Sequence, residues 1–324
     1  MKRVAILFGG SGYIGTFLIQ RFLERNRFDL IYIGDIQKSS ISDSRVIYKY
    51  IDVREEIELQ LPEIDTKNSW IFNLAAIHRE PGHQPCEYFD TNIKGAENIN
   101  RFAEKYQIQN IFFTSSIAPY GKSLDEVDES SMLYPETPYG ISKALAEKIH
   151  QNWLACNRDR RLIICRPSVI YGPKDPGNIL RMVKAVQKGI FFFPNSGEIV
   201  KSHGYIYGLL DSIEFVLDRD EKLIIYNYAE YPIVNLREMT EIIRKLFNIN
   251  RPVWTMPMWL LVSIAYIIKI LKPNSSIHPT RVKKAGFPTN IRPTYLIEKG
   301  FKFRYGFEKS LIDWKEREPK DFEK

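Results

Sequence analysis

The sequence predicts an α/β protein, a doubly wound parallel sheet that carries a smaller C-terminal α/β lobe. Three observations point there. Short apolar runs recur at Val4 to Phe8, Leu30 to Ile33, Val46 to Ile51, Trp70 to Leu74, Ile111 to Thr114 and Leu162 to Cys165. Helical patterns such as Ile93, Ile99, Phe102 and Tyr106 lie between them, and the alternation fades after about Pro167, where prolines from Pro173 to Pro293 cut the chain into short pieces. Strand alternating with helix builds a parallel sheet covered on both faces, and strands that meet no water are apolar throughout. The expected division is a first domain over residues 1–170, its core continuing intermittently beyond 170, and a second lobe formed mainly by 171–324.

The first run leads into Gly9-Gly10-Ser11-Gly12-Tyr13-Ile14-Gly15. Glycines at 9, 12 and 15 permit a tight turn and a close approach of backbone to a bound anion. A helix beginning near Gly12 aims its unpaired N–H groups and positive dipole end at that anion. Ile14, Phe17, Leu18 and Phe22 share one face of the helix, to be buried on the sheet. Spaced glycines alone are a weak signal, because turns use them for geometry. The second run strengthens it. Asp35 follows Leu30 to Ile33, twenty residues beyond Gly15, where a dinucleotide fold holds its adenosine ribose. That carboxylate favours NAD over NADP by repelling a 2′-phosphate, although Lys38 softens the preference. Ligands of such sheets lie beyond the carboxyl ends of the strands, where Asp35, Asp52, His78, Ser115 and Ser116 fall.

Composition agrees with an ordinary soluble globular protein: 324 residues, 44% hydrophobic, 26% charged,. Met1-Lys-Arg followed by five apolar residues is too short a run for a signal-peptide core and reads as the first strand of a cytoplasmic protein. Cys86, Cys156 and Cys165 make an odd number without C-x-x-C spacing, so no disulfide framework is expected. The net charge of +7 suits anionic substrates or lipids; the basic residues are dispersed and no nucleic-acid motif is present,. His78, His83 and Cys86 match no metal-ligand spacing, so no metal is expected.

Chemistry enters at Pro138-Tyr139-Gly-Ile-Ser-Lys143. Tyr139 and Lys143 are four apart at the start of a predicted helix and so share a face. An ammonium beside a phenol favours the phenolate, which lets a tyrosine exchange a proton with a sugar or alcohol hydroxyl. Ser115 and Ser116, just past the strand Ile111 to Thr114, can hold the same hydroxyl.

Together these stretches resemble the extended short-chain dehydrogenase/reductases of the NAD-dependent sugar epimerase/dehydratase family, from Lys2 to about Trp314. The likeness is carried by the glycine turn, Asp35, Asp52-Val53-Arg54, Asn73-Leu74-Ala75-Ala76, Asn92, Thr114-Ser-Ser116 through Tyr120-Gly121, Tyr139-x-x-x-Lys143 and Arg166-Pro167-Ser-Val169. It implies a Rossmann-like fold holding NAD through Gly9, Ser11, Gly12, Tyr13, Ile14 and Gly15 at the first turn and through Asp35, Ile36, Asp52 and Val53 at the adenosine. Leu74, Ala75, Ala76, Asn92, Tyr139, Lys143, Pro167 and Val169 complete the implied cofactor set. Ser116, Tyr139 and Lys143 are the implied catalytic residues, with Tyr139 as acid/base. His78, Arg79, Ser115, Ser116, Asn178 and Lys201 are the expected substrate contacts.

Two departures narrow the reaction. Relatives that dehydrate carry an acidic residue just after the catalytic serine or threonine, whereas this chain has Ile117 and Ala118. In the substrate-lobe phrase Lys201 takes the place of an arginine and cannot bind a diphosphate as a fork. The resemblance implies 4-epimerisation of a diphosphate-linked hexose or N-acetylhexosamine for surface polysaccharide, lipid-linked or UDP-linked. A 4-reductase or dehydrogenase using the same residues is the alternative within the class, and a non-catalytic NAD-binding protein the alternative outside it. A homodimer is the expected assembly.

The most hydrophobic stretch, Pro257 to Leu271, is shorter than the roughly 20 residues of a membrane span. It reads first as a buried helix of the second lobe. The competing expectation is peripheral contact of residues 257–284 with the inner face of the cell membrane, since Lys269, Lys272, Arg281, Lys283 and Lys284 suit an anionic leaflet.

Overall fold

The apolar runs become strands within a residue or two of their expected limits. The computed structural model describes residues 1–79, 82–272 and 279–323; Pro273, one of the predicted breaks, and the side chain of Arg281 lie outside the described residues. The first half runs β1 (Val4–Phe8), α1 (Tyr13–Glu24), β2 (Leu30–Asp35), β3 (Val46–Tyr50), β4 (Trp70–Asn73), α2 (Pro85–Phe89), α3 (Gly95–Lys105), β5 (Asn110–Thr114), α4 (Pro138–Ala155) and β6 (Arg161–Pro167). The second half runs β7 (Val169–Tyr171), α5 (Asn178–Lys188), β8 (Phe193–Pro194), β9 (His203–Tyr205), α6 (Ile206–Leu217), β10 (Leu223–Tyr228), α7 (Leu236–Leu246), β11 (Thr255–Met256), α8 (Met258–Leu271), α9 (Pro279–Ala285), α10 (Thr294–Glu298) and α11 (Gly306–Arg317).

Seven strands form one parallel sheet in the order β10-β6-β5-β4-β1-β2-β3. Successive residues of a strand face opposite sides, and the core divides accordingly. Val4, Ile6 and Phe8 pack with Ile99, Phe102 and Ala146 of α3 and α4, whereas Ala5 and Leu7 pack with Leu18, Phe22 and Leu209 of α1 and α6. Each such side chain taken fully from water contributes about 1.5–3 kcal/mol. The strand order reverses between β1 and β4, and the crevice above their carboxyl ends is the expected ligand position for such a sheet.

Beyond β6 the chain leaves the sheet, returns for β10 at its edge and leaves again. The two-stranded pairs β7–β9 and β8–β11 are built from the excursions. Ile93, expected on a regular helix, lies instead on a π-helical turn, Asp90–Lys94, that feeds α3. The expectation of a buried helix at 257–271 is corrected: α8 forms, but Ala265 is its one buried residue.

Candidate active site

Three segments meet at the carboxyl end of the sheet. The first is the turn from β1 into α1. Gly9 has φ +79°, and a Cβ on it would stand 2.5 Å from the Ala75 backbone nitrogen, so only glycine lets this turn lie against the end of β4,. Gly15 packs α1 onto the turn, since a Cβ there would meet the Gly10 carbonyl oxygen at 2.6 Å. Gly12 is the N-cap of α1 and no side chain caps the helix, so its first-turn N–H groups and dipole remain directed at the crevice,. Asp35, at the end of β2, accepts the Ser11 and Gln37 backbone N–H groups, each at 2.9 Å. The Tyr13 hydroxyl is buried without a hydrogen-bond partner among the described residues. A cradle that excludes a Cβ, an uncapped helix start and a carboxylate at the neighbouring strand end fit a dinucleotide.

The second segment is α4. Thr137 caps it, accepting the Gly140 N–H at 3.1 Å, and Pro138 takes the first helical position,. Tyr139, Lys143 and Glu147 then recur at four-residue spacing along one face. Gly140 is required here, because a Cβ would stand 2.7 Å from the Ala118 carbonyl oxygen. That contact brings the loop carrying Ser116 against the first turn of α4, beside Tyr139. The Lys143 ammonium is buried and donates to the Thr114 carbonyl at 2.7 Å. Burial pushes its pKa down to about 7, against the opposing pull of the Glu147 carboxylate,.

The third segment follows β5. Ser116 accepts the Ala118 N–H at 3.1 Å. Ser115 is buried and donates to Glu147 at 2.5 Å, while Arg166 on β6 donates to the same carboxylate at 2.9 and 2.7 Å. Arg166 also donates to the Tyr120 hydroxyl at 2.8 Å, which donates to the Asn227 side chain at 2.9 Å. Asn227, from the second half, donates its backbone N–H to Glu129 of the first at 2.7 Å. Glu147 and Asn227 are not marked by the sequence alone. The available sign is that Glu147 continues the four-residue rhythm of Tyr139 and Lys143.

Other expected residues stand at varying distance from this cluster. Asn92 clamps the loop after β4, accepting the Ile77 N–H at 3.1 Å and donating to the Ile77 carbonyl and to Ser142 at 2.8 Å. Its side chain orders Leu74 to His78 from within the protein. His78 lies on that loop, its pKa lowered by desolvation and by the charges of Arg79 and Lys143. Arg79 accepts the Tyr88 hydroxyl at its carbonyl, and the Tyr88 ring lies 6.2 Å from that of Tyr139. Asp52 is paired with Arg54 at 2.5 Å, which holds its carboxyl below the usual range, and Val53 is buried beneath Gly95. Ile36 and Val169 are exposed, and the Pro167 carbonyl accepts the Ile117 N–H at 3.2 Å. Asn178 opens α5 and accepts from Arg181 at 2.9 Å. Lys201 donates to the carbonyls of Lys284 and Phe287.

Residues 5–229 match the model of the NAD dependent epimerase/dehydratase family. The N-acetyl-alpha-D-glucosaminyl-diphospho-ditrans,octacis-undecaprenol 4-epimerase of Escherichia coli O157:H7 is 29% identical, over 96% of this chain and 94% of its own length. A UDP-glucose 4-epimerase of Vibrio cholerae is 24% identical over 79% of each chain. Among solved structures, the Thermotoga maritima UDP-glucose 4-epimerase with UDP-glucose superposes with a TM-score of 0.72 at 15% identity, covering 99% of this chain and all of the other. MoeE5 in complex with UDP-glucose and NAD superposes with a TM-score of 0.69 at 18% identity, covering 97% and 98%; at these identities the likeness shows the fold. With the match reaching all seven strands of the parallel sheet, the chain belongs to the NAD dependent epimerase/dehydratase family, as a sugar 4-epimerase-type enzyme with NAD as its cofactor.

Proposed function

We propose that the chain inverts C4 of a hexose or N-acetylhexosamine carried on a diphosphate, and that N-acetylglucosamine linked to undecaprenyl diphosphate is its substrate ahead of a UDP-linked sugar. The observation that carries the C4 chemistry is the meeting of Tyr139, Lys143 and the Ser116 loop at the end of β5, enforced by the Gly140–Ala118 contact. Bound NAD supplies a reversible hydride acceptor. Gly9, Gly12, Gly15 and Asp35 are assigned to holding it, with the N–H groups of Tyr13 and Ile14 at its diphosphate and Asp35 at its ribose.

Tyr139 takes the proton of the C4 hydroxyl and returns it after the sugar has presented its other face. Lys143 holds the phenolate form by its charge, and Ser116 orients the hydroxyl by hydrogen bonding. His78 and Arg79, on the loop after β4, bound the sugar end of the site. With Ile117 and Ala118 where an acid would be needed to move a second proton, elimination has no proton carrier. The lipid-linked preference is supported by the full-length likeness to the Escherichia coli enzyme. Under this reading the enzyme works in the cytoplasm, at the inner face of the cell membrane.

The test offers purified enzyme UDP-N-acetylglucosamine and the undecaprenyl-linked sugar in separate detergent-containing assays without added nicotinamide. Many turnovers of the lipid-linked sugar are expected. Conversion of the UDP sugar alone overturns the substrate assignment, and a need for stoichiometric nicotinamide overturns the epimerase.

A further inference from the structure

We propose that α8 is an in-plane membrane anchor that seats the second lobe on an anionic bilayer surface, an inference that rests on the proposed function for its use though not for its test. The helix presents Trp259, Ser263, Tyr266, Ile267 and Ile270 at three- and four-residue spacing, so they form one outward stripe,. Trp259 is 70% exposed, Ile267 56% and Ile270 76%, and Leu271 beside them is 74% exposed. A contiguous apolar face of this kind marks an interaction surface. Its aromatic members suit the water–lipid boundary, where one end of the side chain is wet and the other is not.

Charge selects the lipid. The stretch from Met258 to Ala285, which runs from α8 through α9, contains five lysines and arginines (Lys269, Lys272, Arg281, Lys283 and Lys284) and no aspartate or glutamate. A second copy on the same face would bring these like charges together across a two-fold axis. An anionic leaflet would attract them. At 14 residues α8 is about 21 Å long, short of the roughly 30 Å hydrocarbon core, so it lies in the interface instead of crossing it,. Among the described residues no helix is long and apolar enough to cross a membrane.

The seat is continuous with the enzyme body. The Met258 N–H donates to Asn195 at 3.2 Å, and β11 pairs with β8 just before the helix. Met258 also packs on Gly286 at the end of α9, where a Cβ would overlap its terminal methyl. The carbonyls of Lys284 and Phe287, at and just beyond the end of α9, accept from Lys201, two residues before β9. A bilayer holding α8 therefore holds the lobe that contains β9 in a fixed orientation.

The test is flotation of the full-length protein with vesicles of phosphatidylcholine alone and of phosphatidylcholine containing about one quarter phosphatidylglycerol. Binding to the anionic vesicles is expected, weakening with salt. The Trp259→Glu/Ile267→Glu/Ile270→Glu variant is expected to stay in solution while keeping its melting temperature and NAD affinity. Lys272→Gln/Lys283→Gln should bind anionic vesicles roughly thirtyfold more weakly, from about fivefold per charge. The proposal fails if wild type ignores anionic vesicles, if the triple variant still floats, or if that variant loses its melting transition and so reveals a core helix. It also fails if wild type is a dimer that the triple substitution dissociates without any vesicle binding. Vesicle binding requires no sugar substrate, so a wrong substrate assignment leaves this result readable.

Discussion

Glu147→Gln removes one buried charge and keeps the side-chain shape. In the wild type the carboxylate accepts two N–H bonds from Arg166 at 2.9 and 2.7 Å and the Ser115 hydroxyl at 2.5 Å, with neither partner of the ion pair more than 5% exposed. Breaking an ion pair this deep strands the guanidinium without its counter-charge, a loss of about 3–5 kcal/mol. With an unfolding entropy of roughly 2 cal/mol/K per residue over the chain, that corresponds to about 4–7 °C in melting temperature, read by calorimetry or circular dichroism. A second readout separates positioning from bulk stability. Burial holds Lys143 down to about 7 while Glu147 pulls the other way. Without the carboxylate the ammonium loses its proton at lower pH, so the alkaline limb of the rate profile moves towards acid. Glu147→Gln/Arg166→Met removes the stranded charge as well and is expected to regain part of the lost stability. An unchanged melting temperature in Glu147→Gln, or an alkaline limb that stays in place or moves up, refutes this account of the network.

Tyr139→Phe is expected to lower the epimerisation rate by roughly 10³-fold or more, as removal of a proton carrier does, with NAD affinity nearly unchanged by equilibrium fluorescence titration. Near-normal turnover removes Tyr139 from the chemistry. Wild type is expected to bind NAD more tightly than NADP, and Asp35→Asn to narrow that gap by at least about tenfold, because the carboxylate that repels a 2′-phosphate is gone. Equal affinities in the wild type would assign Asp35 to the Ser11 and Gln37 amides alone.

The features legible in the sequence are those where backbone geometry dictates the residue type. Gly9 admits no side chain against Ala75, Gly140 none against Ala118, and the core strands are apolar because both faces are covered. What stayed hidden depends on partners distant in sequence. Glu147, four residues after Lys143, has the spacing of any surface pair; its buried partners are Arg166 on β6 and Ser115 just past the end of β5. Nothing in the sequence says where Lys201 points, and only the fold brings it to carbonyls more than 80 residues away. In α8 the apolar residues surround the helix, so no periodicity distinguishes the face on α9 from the face in solvent. The strand Leu223–Tyr228 contains Asn227 and follows a long excursion, which weakens its apolar signal.

That last strand has a consequence for biosynthesis. β10 pairs with β6 along its whole length, from Leu223↔Leu162 to Tyr228↔Pro167. Until residue 228 has left the ribosome, the nascent chain carries β6 as an open edge, with Leu162, Ile163 and Ile164 beside a row of unpaired amides and carbonyls. Asn227 arrives on the same strand, so the Tyr120 hydroxyl gains its acceptor at the moment the edge is closed. The enzyme's first 170 residues therefore make a template for unwanted strand pairing, and the remaining sheet partner is delivered only after some sixty further residues have been translated.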